Sequence, residues 1–103
     1  MKVYNKLIRD RIPEIIQKAG KNCKVITLKN EDYLRHLNKK LQEELDEYYE
    51  SKNIEELVDL LEIVYAIAEH HGISRKKIEE MRLVKREKRG GFNKKLFLIE
   101  VDD

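Results

Sequence analysis

Two pairs of acids at helical spacing are the residues in this chain best suited to chemistry. Glu44-x-x-Glu47 and Glu56-x-x-Asp59 each set two carboxylates one helical turn apart. Hard oxygen donors at that density suit a divalent cation such as Mg²⁺ or Mn²⁺. A cation held this way can take up phosphate oxygens and activate a water, with one carboxylate serving as general base. Asp59 stands out because Leu57, Val58, Leu60 and Leu61 flank it. A carboxylate in so apolar a stretch needs a partner, and either a metal or an arginine would serve.

The acids need helices to bring them together, and the apolar pattern supplies them. Leu34, Leu37, Leu41, Leu45 and Tyr48 recur at spacings of three and four, predicting an amphipathic helix from an Asn30 cap to about Glu50. Glu44 and Glu47 are expected on the flank of that stripe. Ser51-Lys52-Asn53 breaks the pattern, and Asn53 with Glu56 three residues later resembles a capping box. A second helix from Ile54 to His71 is the most hydrophobic segment and is expected at the centre of a bundle. The short break makes the two helices antiparallel neighbours, so that Glu44 and Glu47 face Glu56 and Asp59.

The flanking segments follow the same logic. Pro13 fits the first turn of a short helix that Gly20 ends. Gly72 closes the hydrophobic helix, and Ser74 caps a further helix from about Arg75 to Lys88. Residues 24–28 (Lys-Val-Ile-Thr-Leu) and 96–101 (Leu-Phe-Leu-Ile-Glu-Val) read as short strands that pair within a chain or across a dimer. With no repeat or linker, residues 1–103 are read as one domain: an all-α antiparallel helix bundle carrying at most these two short strands. His70 and His71 are expected to face solvent at a helix end, where they favour the helix dipole.

The charge is segregated. Residues 41–70 hold ten acids and one base, whereas residues 75–95 hold ten bases and three acids. Residues 1–29 hold eight bases and two acids, so an acidic centre lies between two basic arms within a net charge of only +2. That layout suits a metal site that receives a polyanion, and it also suits solvated helix faces of complementary charge. An acidic centre repels a nucleic-acid duplex, so no nucleic-acid partner is expected. The single Cys23 excludes an intrachain disulfide and fits a reducing, cytoplasmic setting. The charged opening predicts no secretory signal, and no apolar run suggests a membrane partner. The aromatics number seven with no Trp, and this modest core favours a homo-oligomer.

Glu43-Glu44-x-x-Glu47 followed by Glu56-x-x-Asp59 resembles the metal motif of the MazG-like, all-α nucleoside triphosphate pyrophosphohydrolases. The opening Lys6-Leu-Ile-Arg-Asp-Arg-Ile-Pro-Glu-Ile-Ile16 and the Lys88-Arg-Gly-Gly-Phe92 corner are similar to a small single-domain branch likened to phosphoribosyl-ATP pyrophosphatase. The resemblance implies a dimeric or tetrameric helix bundle holding Mg²⁺ on Glu44, Glu47, Glu56 and Asp59. It implies hydrolysis of a nucleotide between the α- and β-phosphates, as in house-cleaning of non-standard nucleotides. Glu43, Glu44 and Glu47 are then the candidates for acid–base work. Lys85 matches a phosphate-contacting position, and Lys6, Arg9 and Arg89 are candidates for the same task. Eight residues separate Glu47 from Glu56, fewer than the family's usual spacing. The alternatives from a different class are a non-catalytic helical module that binds a nucleotide or a protein, and a structural dimer whose acids only pair with the basic arms.

Overall fold

The computed structural model describes residues 2–103 and contains four helices among them. These are α1 (Ile12–Lys18), α2 (Asn30–Ser51), α3 (Ile54–His70) and α4 (Arg75–Arg89). Pro13 lies in the first turn of α1, where its missing N–H has no intrahelical carbonyl to bond. The last turns of α1 and α3 close alike. Gly20 and Gly72 both take a φ of +80°, which an L side chain rarely adopts. The next residue's N–H then bonds back across the turn, Lys21 to the Ile16 carbonyl at 3.2 Å and Ile73 to the Ala68 carbonyl at 2.9 Å.

Helix starts use side chains where the sequence offers them. Asn53 accepts from the Glu55 backbone N–H at 3.0 Å, and Ser74 Oγ accepts from that of Lys77 at 3.0 Å. The expected Asn30 cap is corrected: Asn30 is the first helical residue, and Lys29 precedes it without a side-chain cap. The expected capping box is half formed, because the Glu56 carboxylate turns toward other acids instead of reaching back to Asn53.

Helices α2 and α3 form the main packed unit. Only Lys52 and Asn53 join them, so the chain must fold straight back on itself. Lys52 takes a left-handed φ of 56° to make that reversal. Leu37, the most buried residue at 3% exposure, lies between them with Ile63 and Ala68. The predicted stripe holds, since Leu34, Leu41, Leu45 and Tyr48 are all half-buried. Helix α4 packs on α3, and the Arg75 guanidinium sits 4.5 Å above the Tyr65 ring where the two helices meet. Helix α1 packs on no other helix among the described residues.

Three expectations are corrected here. His70 is half-buried and meets the Tyr33 ring edge-on, with centroids 5.8 Å apart, so it ties α3 to α2 rather than facing solvent. The central-helix expectation for α3 is only half met, because Val58 and Leu61 stay exposed on one side. The strands anticipated at 24–28 and 96–101 do not form among the described residues. Both segments lack regular structure, and neither makes a backbone hydrogen bond to another described residue, so no ladder forms. No helix of the described residues is long and apolar enough to cross a membrane.

Candidate metal centre

The α2–α3 hairpin brings three of the four predicted ligands together. Glu44 on α2 and Glu56 and Asp59 on α3 each offer a carboxylate oxygen, and these oxygens lie within 4.8 Å of one another. Glu44 is the buried member, at 8% exposure, while Glu56 and Asp59 are half-buried. Its burial follows from periodicity. Glu44 falls seven residues after Leu37, three after Leu41 and four before Tyr48, so it occupies the stripe itself rather than its flank.

Burial without compensation defines the electrostatics. Glu44 Oε2 is fully enclosed and has no hydrogen-bond partner. A buried, unpartnered carboxylate oxygen is costly and calls for an explanation. Desolvation is the largest influence on this group, and the charge of Glu47 adds to it. Contacts with Glu56 and the charge of Asp59 act in the same direction, and together they push the Glu44 carboxyl up to about 7. Glu56 is also raised, by desolvation first and then by Glu47. Its contact with Glu44 acts the other way and lowers it. In the absence of a cation these acids relieve their repulsion by holding a proton.

Asp59 finds a different partner. Arg9, from the segment before α1, donates from Nη2 to Asp59 Oδ1 at 2.7 Å. Arg9 is thus one partner of this acid, which also belongs to the three-oxygen group. Asp59 is also less buried than its apolar neighbours suggest, with 42% of its side chain exposed. Residues adjacent in sequence project about 100° apart around a helix, so apolar neighbours on either side do not bury the residue between them.

The remaining predicted residues fall into three places. Glu47 is exposed and outside the three-oxygen group, although its charge reaches Glu44 and Glu56. Glu43 points elsewhere: it lines a small hollow of about 20 Å³ with Lys6, His36, Lys39 and Lys40. The segment carrying Lys6 and Arg9 therefore crosses from α2 to α3 and brings two cations to the acid-bearing hairpin. Lys85 and Arg89 lie on α4 along an open groove of about 410 Å³, shared with Met81 and Val84. Every residue lining that groove belongs to α4, so it is the face of one helix rather than a cleft. Lys39 and Lys40 were not anticipated as neighbours of the N-terminal segment. They carry no motif, and only the fold places them beside Lys6.

The arrangement has the donor chemistry of a hard-cation site. It offers three carboxylates, one of them buried and lacking a partner, with cationic side chains from a neighbouring segment beside them. Compared with known proteins, the chain matches no family model, no curated protein and no solved structure.

Proposed function

We propose that this chain is a divalent-cation-dependent nucleotide pyrophosphohydrolase. In this reading it splits a nucleoside triphosphate, or a related nucleotide, into the monophosphate and pyrophosphate, and clears non-standard nucleotides from the cytoplasm. The observation that carries the reading is the orphaned, buried Glu44 Oε2 within the Glu44–Glu56–Asp59 group. Glu44, Glu56 and Asp59 would hold the cation, most simply Mg²⁺, with Glu47 at the rim. A bound Mg²⁺ supplies charge neutralisation to phosphate oxygens and makes a nearby water more acidic.

The chain's own residues account for the rest of the chemistry. Water adds to a phosphorus, the bridging bond between the α- and β-phosphates breaks, and pyrophosphate leaves with the electron pair. The proton lost by water passes to a carboxylate. Glu47 is the best placed to receive it, because it borders the cluster without belonging to the three-oxygen group. Arg9 and Lys6 would bind the phosphate chain from the N-terminal side, and Lys85 and Arg89 are the basic candidates on α4. The resemblance of the acid motif and of both flanking motifs to the MazG-like enzymes supports the nucleotide as substrate.

The test is pyrophosphate release from a panel of ordinary and damaged nucleotides with Mg²⁺. Cation-dependent release supports the reading, and no release from folded protein with any nucleotide overturns it. The Arg9–Asp59 ion pair favours a second reading, a helical module in which the acids only pair with basic segments. Calorimetry separates the two, since a non-catalytic module would bind a nucleotide or a protein with no turnover and no sensitivity to Mg²⁺.

A further inference from the structure

The chain exposes far more surface than a folded monomer of its mass. Its accessible area is 10086 Å², whereas a 12.4 kDa monomer is expected to show about 6,100 Å². Its radius of gyration is 18.4 Å, against about 13 Å for a compact domain of this length. Obligate homodimers bury about 2,000–5,000 Å² counted over both partners, so an excess of roughly 4,000 Å² on each chain is more than enough to supply such an interface. Much of it is apolar and lies at the C-terminus, where Leu96, Phe97, Leu98, Ile99 and Val101 are 73–86% exposed.

That segment is an exposed arm without regular secondary structure. A turn from Phe92 to Lys95, with Lys95 at a left-handed φ of 59°, redirects the chain after α4. From residue 96 onward no backbone group bonds to another among the described residues. Among the described residues the same holds for residues 24–28, which also lack regular secondary structure and include Ile26 at 79% exposure. The molecule thus carries two apolar segments of β-forming residues, similar in length and both unpaired.

We infer that residues 96–101 of one copy pair antiparallel with residues 24–28 of a second copy. The complement to each segment already exists in the sequence, so a two-fold exchange satisfies two arms and two acceptors at once and closes on itself. Charge selects the direction. Antiparallel pairing brings Lys21 and Lys24 toward Glu100, Asp102 and Asp103 at the end of the arm, and at its start it brings Lys94 and Lys95 toward Glu31 and Asp32 as well as Lys29. Parallel pairing instead sets Lys24 beside Lys94 and Lys95, and like charges placed opposite one another destabilise a ladder. The exchange buries the apolar arm, supplies the missing ladder hydrogen bonds and brings the remaining faces of the two helical bodies together. It does not depend on any catalytic activity.

Cys23 is the only cysteine, is exposed, and directly precedes the acceptor segment, which makes it a built-in probe. Antiparallel exchange places it opposite residue 102, and parallel exchange places it near residue 95. The experiment uses the full-length chain carrying Asp102→Cys or Lys95→Cys, each also made with Cys23→Ser, under mild oxidation. The expected result is a disulfide-linked dimer from Asp102→Cys, at least tenfold more abundant than from Lys95→Cys and lost with Cys23→Ser. Sedimentation should show wild-type protein at twice the monomer mass or more, and removal of residues 96–103 should weaken that association at least tenfold. A monomeric wild type, a disulfide confined within one chain, or association unaffected by removing the arm would each overturn the inference.

Discussion

Arg9 Nη2 lies 2.7 Å from Asp59 Oδ1, so a guanidinium from fifty residues away occupies one of the three carboxylates that could hold a cation. Both side chains are largely exposed, and such ion pairs are worth about 0.2–1 kcal/mol. A divalent ion drawing on Asp59 must displace a contact of that size, and the released guanidinium then lies free beside the site.

Arg9→Ala should therefore separate cation affinity from substrate affinity. Removing the competing guanidinium should tighten Mn²⁺ or Mg²⁺ binding by about two- to fivefold, following the value of an exposed pair. If Arg9 contacts phosphate, the same change should raise the KM for a nucleotide by about tenfold. Titration calorimetry with the metal alone and steady-state kinetics read the two effects independently.

Glu44 sets the pH dependence of the metal-free fold. Its carboxyl is raised from 4.5 to about 7 by burial and by neighbouring acids, so the folded state holds a proton that the unfolded state has lost across that interval. Stability without metal should fall as pH rises from about 4.5 to 7, by on the order of 3 kcal/mol. Glu44→Gln should flatten this slope, stabilise the metal-free protein above pH 7 and abolish cation binding. Urea melts in the presence of a chelator, run across pH, check the sign.

A cation that binds only the folded state should raise thermal stability. At a hundredfold excess over its Kd the gain is about 2.7 kcal/mol. Asp59→Asn should remove most of that gain and abolish turnover while leaving the helical circular dichroism intact, because the side chain is only half-buried. Melting curves with and without Mg²⁺, paired with pyrophosphate assays, provide the comparison.

Lys85 and Arg89 on α4 test whether the proposed substrate site reaches that helix. Both are exposed, so alanine at either position should change stability by less than about 0.5 kcal/mol. If the α4 face receives phosphate, kcat/KM should fall about tenfold or more for Lys85→Ala. Unchanged kinetics would confine the site to the hairpin and the N-terminal segment.

The core should tolerate little loss. Among the described residues only Leu37, Ile63 and Ala68 are buried apolar residues, so Leu37→Ala should cost about 2–5 kcal/mol. Urea denaturation would reveal this as a lowered midpoint with little change in slope.

The helices were legible because caps, glycines and apolar spacing are local signals. Gly20, Gly72 and Ser74 act where the sequence places them, and the Leu34–Tyr48 stripe is buried as a stripe. The acids were legible as a group but not in their ranking. Asp59 looks the more buried from its sequence neighbours, yet periodicity against Leu37, Leu41 and Tyr48 identifies Glu44. The Arg9 contact had no local signature, because it joins residues fifty positions apart. The segments at 24–28 and 96–101 are legible as β-forming composition, but composition does not supply a partner, and neither forms a strand.

The two-residue reversal at Lys52 and Asn53 has a kinetic consequence. Glu44 and Asp59 are fifteen positions apart and lie on either side of it, so bringing them together closes only a short loop. The three clustered acids are therefore assembled by low-contact-order folding of a helical hairpin, which is intrinsically fast. Arg9 must arrive by a much longer closure. Early in folding the acids should meet one another before they meet their guanidinium, and a cation present at that moment would encounter the hairpin with all three carboxylates free.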